Sequence, residues 1–204
     1  MQAIQSNSPV AEVAAPETDP EPELPNPGSL VRESQAGSRE AYAALVGLFQ
    51  DRIYNFLVRM TGQPQDAEDL AQETFVKAWQ SLDRFDARFS FSTWLFTIAK
   101  RTACNHLRSR RPVADPAEAP ELSDDAEDPC TVLSQVEERR ELWRLARRLK
   151  PNQYQVLWLH YGEGFPVAEV AKIMGVLPIH AKVLLHRGRN QLAKLLAQQP
   201  SNVL

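Results

Sequence analysis

The sequence has few of the residues that build metal sites or disulfide frameworks. Its two cysteines, Cys104 and Cys130, belong to no CxxC pair and no Cys/His ligand spacing. We therefore expect no zinc site and no disulfide framework, and a reducing cytoplasm as the surroundings. No apolar run approaches the roughly 18 residues of a membrane span, and the chain does not start with a basic stretch before an apolar core. We expect neither membrane insertion nor a secretion signal.

Signatures of catalysis are missing as well. The sequence has no Gly-rich phosphate loop and no nucleophile elbow, and no histidine lies within 66–105 to assist the acids of 66–79. A hydrolase built on those acids is therefore the weakest functional hypothesis. We expect no enzymatic activity, no cofactor and no metal.

Lys and Arg are absent from two segments. Residues 1–29 contain five acids and six prolines, and residues 112–129 contain seven acids and four prolines. We expect both to be disordered, because they have too little apolar surface to offset chain entropy. The remaining 23 bases and 14 acids give 30–111 a charge of +3 and 130–204 a charge of +6. The pattern predicts two basic blocks joined by a flexible acidic linker, with 1–29 as a candidate regulatory arm.

Outside the acidic segments the apolar periodicity is helical, with no convincing strand alternation and no internal repeat. We predict an all-α chain of two small helical domains. In the first block, helices are predicted at 38–60, 66–81 and 90–110. Ser38 is the predicted N-cap of the first of these helices and Asp66 that of the second. In the second block they are predicted at 131–149, 151–161, 167–174 and 179–197.

The helix that contains 66–79 is amphipathic. Its apolar stripe, assigned to the core, comprises Ala67, Leu70, Ala71, Thr74 and Ala78. Asp66, Asp69 and Glu73 lie on the opposite side. The plain interpretation of these acids is a solvated face whose first turn complements the helix dipole. A catalytic or metal-binding carboxylate pair is a minor alternative.

The next helix has a core stripe and a separate basic strip. The core stripe comprises Trp94, Leu95, Ile98, Ala99 and Thr102. The basic strip comprises Lys100, Arg101, Arg108 and Arg111, with the smaller Thr97 and Cys104 among them. Such a strip suits phosphate contacts, and exposed aromatics beside it can stack on unpaired bases. Phe89 and Phe91 precede it, and the pattern leaves open whether they are exposed or part of the core.

The second block ends in a helix-turn-helix pattern, in which 167–174 leads through Gly175 into a longer basic helix. The inner stripe of the last helix comprises Ala181, Leu185, Gly188, Leu192 and Leu196. Its outer arc comprises His180, Lys182, His186, Arg187, Arg189, Asn190 and Lys194. The sequence has no acid after Glu169, which favours DNA binding over an ordinary bundle helix.

In this order, these motifs resemble the extracytoplasmic-function sigma factors of bacterial RNA polymerase, which are of the sigma-70 type. Residues 66–79 resemble the segment of that family that binds core polymerase, and 88–111 resemble its promoter-melting and −10-reading segments. Residues 149–176 followed by 182–189 resemble its −35-reading domain. The resemblance implies a factor that binds core polymerase and directs promoter-specific initiation, while catalysis belongs to the polymerase.

The resemblance also implies a sigma-2-like domain at 30–111, a linker at 112–130 near the polymerase active-site cleft, and a sigma-4-like domain at 131–204. It assigns core-polymerase binding to Asp66, Asp69, Leu70, Gln72, Glu73 and Phe75. A flipped base would be captured by the loop 84–92, and −10 contacts and melting fall to Phe89, Phe91, Lys100, Arg101, Asn105, His106 and Arg108. It assigns −35 contacts to Lys182, His186, Arg187 and Arg189.

An anti-sigma factor is a further partner that the resemblance implies. The sequence departs from the family at Val183 and Leu184, where small polar and Arg residues are common. An apolar Val183 cannot hydrogen-bond a base edge but can contact a thymine methyl group. The alternative to a sigma factor is an ordinary helix-turn-helix regulator that binds duplex DNA tightly by itself and uses its first block for dimerisation or interaction.

Overall fold

The computed structural model describes residues 26–110 and 135–198, and in these two ranges the chain is helical without a strand. The first block, 26–110, contains α1 (Pro27–Gln35), α2 (Arg39–Thr61), α3 (Pro64–Ser81), a 3-10 turn (Leu82–Arg84) and α4 (Phe91–Arg110). The second, 135–198, contains α5 (Gln135–Ala146), α6 (Pro151–Leu157), a π-helical turn (Trp158–Gly162), α7 (Val167–Met174) and α8 (Pro178–Ala197). The all-α prediction is confirmed. The predicted disorder of 1–25 and the acidic linker fall outside the described residues.

Helix α2 begins and ends where the sequence predicts. The Ser38 hydroxyl accepts a hydrogen bond from the backbone N–H of Ala41 at 3.1 Å, as an N-cap does. The helix stops at Gly62, whose φ of 71° lies in the left-handed region that glycine adopts at low cost. Helix α3 differs from the prediction, because it begins at Pro64 and Asp66 is in its first turn. Proline suits that first position since its missing N–H would have no partner within the helix.

Helix α1 was not predicted, and it corrects the expectation of disorder at 26–29. The side chain of Asn26 accepts from the backbone N–H of Gly28 at 2.9 Å, and Pro27 is the first helical residue. The helix buries Leu30 and Val31 against α2. The side-chain amide of Gln35 donates to the backbone oxygen of Leu82, where the 3-10 turn begins, at 2.9 Å and to that of Phe85, just after it, at 2.8 Å. A proline-rich composition concealed this helix because proline at a first turn starts a helix rather than breaking one.

The second block folds around α8, which packs on α6 and α7. Gly188 lies at the α6 contact, where a Cβ would approach Cδ1 of Leu157 to 3.1 Å. Gly175 ends α7 with φ 68°, and the N–H of Val176 then donates to Ala171 at 3.0 Å. The helix-turn-helix prediction is confirmed. At the far end of α8, Leu196 is 43% exposed, which corrects its place in the inner stripe.

One hydrophobic core runs through both blocks. The ring of Phe96 on α4 is fully buried, with its centroid 5.2 Å from that of Phe56 on α2 and 5.0 Å from that of Phe165, just before α7. Beside it, Nε of Arg52 donates to a carboxylate oxygen of Glu163 at 2.8 Å. That carboxylate also accepts from the indole N–H of Trp158 at 3.2 Å. The two blocks therefore pack together through an aromatic cluster with a satisfied ion pair at its edge.

We predict that Phe96→Ala destabilises both blocks. Removing a fully buried aromatic ring costs about 3–5 kcal/mol of unfolding free energy, because a cavity replaces its contacts. Denaturant titration followed by circular dichroism measures this loss. The control is Val76→Ala on α3, where the side chain is 54% exposed and a change within about 0.5 kcal/mol is expected. Similar losses for the two variants would contradict the placement of Phe96 in a common core.

Candidate polymerase and nucleic-acid interface

Helix α3 presents one face to the core and the other to solvent. Ala67, Leu70, Thr74 and Ala78 are buried. The outward face comprises Asp69, Gln72, Glu73, Val76 and Gln80, all exposed. Leu70 is 3% exposed, so it supports this face from below and we do not retain it as a contact residue. Phe75 is half-buried against the core.

A hydrogen bond holds the C-terminal end of α3 against α2. The Tyr42 hydroxyl donates to the backbone oxygen of Phe75 at 2.6 Å. Its ring lies against that of Trp79, with centroids 4.7 Å apart, and Trp79 remains 38% exposed. The outward face of α3 therefore ends in a partly exposed aromatic residue on a firm support.

Asp66 at the start of α3 is directed at α4 rather than at solvent. Its carboxylate is paired with the guanidinium of Arg110, and Nε2 of His106 lies 3.4 Å from the same oxygen. These contacts fix the C-terminal end of α4 beside α3. Asp66 thus has its partner within the first block, and the buried Nε2 of His106 lies near it without a hydrogen bond. Asp69 and Glu73 face outward, Glu73 with Lys77 at 2.6 Å.

The loop between α3 and α4 separates the aromatic residues that the sequence grouped together. Phe85 and Phe91 are buried with ring centroids 5.7 Å apart, and Phe91 also packs on Phe49 at 5.5 Å. Phe91 is therefore a core residue, and we do not retain it as a base-stacking residue. Phe89 is 59% exposed. Trp94, which we assigned to the core, is partly buried and packs against the hydrophobic core.

A cavity of about 430 Å³ opens beside Phe89, between the loop, α1 and α2. Arg32 contributes a cationic group to its lining, Arg52 lines it while paired with Glu163, and Phe49 contributes an apolar wall. In the same loop Arg88 forms an ion pair with Asp86 and holds the pKa of that carboxyl below its usual value, chiefly by hydrogen bonding. The composition of this cavity, aromatic and cationic, suits an unstacked base with its phosphate.

The basic strip of α4 is divided between solvent and the second block. Arg101, Asn105 and Arg108 are exposed. Lys100 donates from Nζ to the backbone oxygen of Met174 at 2.7 Å, at the C-terminal end of α7. Near the start of α4, the Thr93 hydroxyl donates to Glu169 on α7 at 2.7 Å. Helix α7 therefore covers part of the strip that was predicted to contact DNA.

The outer arc of α8 is open to solvent. The four residues predicted to contact the −35 element, Lys182, His186, Arg187 and Arg189, are all exposed, opposite the buried Ala181, Leu185 and Gly188. Nη1 of Arg189 lies 3.4 Å from the hydroxyl of Tyr161, at the end of the π-helical turn. Because Tyr161 is itself exposed, this contact leaves the guanidinium accessible to a partner.

Comparison with known proteins assigns both blocks. The family model Sigma-70 region 2 matches residues 45–113, and the model Sigma-70, region 4 matches residues 139–192. RNA polymerase sigma-H factor of Pseudomonas aeruginosa is 34% identical over 155 residues, which cover 71% of this chain and 80% of the relative. The chain belongs to the sigma-70 family of RNA polymerase sigma factors, in its extracytoplasmic-function group.

Further relatives agree with this membership. This chain is 28% identical over 176 residues to the ECF RNA polymerase sigma factor SigW of Bacillus subtilis. The match covers 81% of this chain and 94% of the relative. The sigma factor RpoE of Bartonella quintana, solved with the anti-sigma factor NepR, superposes with a TM-score of 0.58 at 22% identity. That match covers 78% of this chain and 98% of the other and supports the fold.

Two features of the structure were not predicted from the sequence. Val76 stands at the centre of the outward face of α3, and its position between acids on the helical wheel would have indicated this. The cavity lining contributed by Arg32 and α1 had no sequence signal, because α1 itself was not expected. Within 26–110 and 135–198 no three His, Cys, Asp or Glu side chains gather as metal ligands. No helix in these ranges is long and apolar enough to cross a membrane.

We predict that Tyr42→Phe changes the pH dependence of stability. Burial raises the pKa of the Tyr42 hydroxyl from 10.0 to about 12. The protonated phenol therefore stabilises the fold fully below pH 10.0, and this contribution is lost as the pH rises towards about 12. Tyr42→Phe should be less stable by about 1 kcal/mol at neutral pH. The difference in unfolding free energy between the wild type and Tyr42→Phe should narrow between pH 10.0 and about 12, as measured by urea unfolding. A difference that stays constant would contradict the stabilising role of the Tyr42 hydroxyl.

Proposed function

We propose that this chain binds core RNA polymerase, directs it to a subset of promoters and helps to open the DNA there. The observation that carries the proposal is the exposed Phe89 beside a cavity lined by Arg32, on the same block as the outward face of α3. The nucleotide-adding chemistry belongs to the polymerase, and this chain contributes no catalytic group. Its place of action is the cytoplasm, where polymerase and promoter DNA meet.

The polymerase contact in this proposal is the outward face of α3. Asp69, Gln72 and Glu73 offer acceptors, and Val76 adds an exposed apolar centre. An apolar centre with a polar rim is the usual anatomy of a protein interface. The underlying contacts of Tyr42 and Asp66 hold this face in place without taking part in it.

DNA opening in this proposal depends on Phe89 and the neighbouring cavity. A base taken out of the duplex costs a few kcal/mol, which stacking on an aromatic ring and phosphate contacts offset. Arg101, Asn105 and Arg108 on α4 then hold the strand beside it. The exposed basic arc of α8 supplies the −35 contacts, at a major groove that admits one helix.

Regulation by an anti-sigma factor is part of the proposal. The RpoE of Bartonella quintana, which shares the fold, was solved with its anti-sigma factor NepR. The apolar Val76 and the partly exposed Trp79 on α3 give such a protein a surface to compete for with polymerase.

Transcription with purified bacterial core polymerase on a genomic promoter library tests the function. Start sites that depend on the chain are the expected result. Absence of new transcripts together with tight duplex binding by the chain alone would favour the helix-turn-helix regulator instead.

We predict that Phe89→Ala slows promoter opening and leaves closed-complex binding unchanged. The side chain is exposed, so the loss is one of stacking, worth about 1–3 kcal/mol per base, or about tenfold in the opening step. Permanganate footprinting over time measures opening, and filter binding on ice measures the closed complex. The matched variant Phe91→Ala should instead lower thermal stability. A loss of closed-complex binding by Phe89→Ala equal to the loss in opening would count against the melting role.

Reading both promoter elements requires the two blocks to separate. The −10 and −35 elements lie about 25 base pairs apart, or about 85 Å at a rise of about 3.4 Å per base pair. In the structure α7 instead packs directly on α4, and Lys100 is engaged by Met174. We infer that the packed arrangement is a closed form, and that the form active on the promoter is open.

We predict that Thr93→Val increases the open fraction. Valine keeps the shape but removes the hydrogen bond to the Glu169 carboxylate, an interaction worth about 1.5–3 kcal/mol. Small-angle X-ray scattering of the free chain should give a larger radius of gyration. Thr97→Val is the matched control, since the Thr97 hydroxyl bonds to the backbone oxygen of Thr93 within α4. Equal radii for both variants would contradict the closed form.

A further inference from the structure

The outward stripe of α8 is apolar in its N-terminal half. At 100° per residue, Ile179, Val183, His186 and Asn190 project on the side opposite the buried stripe. Ile179 is 66% exposed and Val183 is 37% exposed. Leu177, immediately before the helix, is 72% exposed. Large apolar side chains thus occupy the part of a recognition helix whose residues contact base edges.

Cationic side chains lie on both sides of this stripe. Lys182 and Arg189 form one flank, and Arg187 with His180 forms the other, all of them exposed. A helix in the major groove has the base edges in front of it and a phosphate backbone on each side. The two flanks fit the two backbones, which directs Ile179 and Val183 at the floor of the groove.

The chemistry of the groove floor then limits what these two residues recognise. Neither side chain can donate or accept a hydrogen bond, so each gains only by burying apolar surface. Among the four bases, thymine presents a methyl group in the major groove, whereas the other edges present donors and acceptors. Facing those edges, an apolar side chain would leave polar groups without partners.

We propose that Ile179 and Val183 select thymines in the −35 element by contact with their C5 methyl groups. The inference extends from Val183 to the more exposed Ile179, one helical turn earlier, and thus predicts two methyl contacts. It rests on the proposed function, because it needs α8 to be the DNA-reading helix.

Replacing thymine by deoxyuridine tests the proposal, since only the methyl group is removed. After the −35 element has been mapped with full-length chain and core polymerase, each of its thymines is replaced in turn. Loss of one buried methyl group is worth about fourfold in affinity. We expect about this loss at two positions, measured by competition binding of the holoenzyme to promoter fragments.

Variants assign each methyl contact to a side chain. Holoenzyme with Ile179→Ala should bind thymine and deoxyuridine equally at one of the two positions and still distinguish them at the other. Holoenzyme with Val183→Ala should lose the distinction at that other position and keep it at the first. Lys182→Ala is the matched control: it should weaken binding to both bases equally and reduce the salt dependence, as loss of a phosphate contact does. Circular dichroism checks that the exposed substitutions leave the fold intact.

The outcomes separate this proposal from the function on which it rests. Promoter-specific binding that is indifferent to deoxyuridine at every position would overturn the methyl contacts and leave the sigma-factor function standing. Discrimination that survives in both Ile179→Ala and Val183→Ala would overturn the assignment of residues. A holoenzyme that shows no preference for any −35 sequence would overturn both the methyl contacts and the role of α8 as the DNA-reading helix.

Discussion

The packing of Phe96 between Phe56 and Phe165 is the contact on which the arrangement of the two blocks depends. Because the ring is fully buried, neither block could expose it without loss of apolar burial. The Arg52–Glu163 pair lies at the edge of this cluster, with the Glu163 side chain only 7% exposed. The aromatic rings supply the burial that holds the two blocks together. The ion pair fixes their relative orientation, since a buried carboxylate tolerates few alternative positions.

The first block, 26–110, presents three surfaces, for which we propose two partners, polymerase and an opened DNA strand. Helix α3 faces outward with acids around Val76, the loop before α4 presents Phe89, and α4 presents its arginines. The supports of these surfaces are hydrogen bonds and aromatic contacts within the block, such as that from Tyr42 to the backbone of α3. Each surface is therefore fixed relative to the others, which is what coordinated binding of polymerase and an opened strand requires.

Much of this could be predicted because apolar periodicity is a local property. The helices, their inner stripes and the exposed arc of α8 follow from it, as does the turn at Gly175. The positions of Phe89 and Phe91 could not be separated, because the spacing of two residues in a loop does not say which ring enters the core. Lys100 looked like a phosphate ligand since its partner, the backbone oxygen of the last residue of α7, is 74 residues away in sequence. Helix α1 was hidden by the composition of the residues before it.

The attachment of the two blocks has a cost in apparent affinity. The outward face of α3 is exposed in the packed form, whereas α7 covers part of α4. If only a fraction of the chain is open at any moment, the dissociation constant for a promoter read through both elements is the intrinsic constant divided by that fraction. A closed form favoured by about 2.7 kcal/mol would then raise it about a hundredfold. The packing at Phe96 would thus set how strong a promoter must be before this factor occupies it, without any change in the residues that contact the DNA.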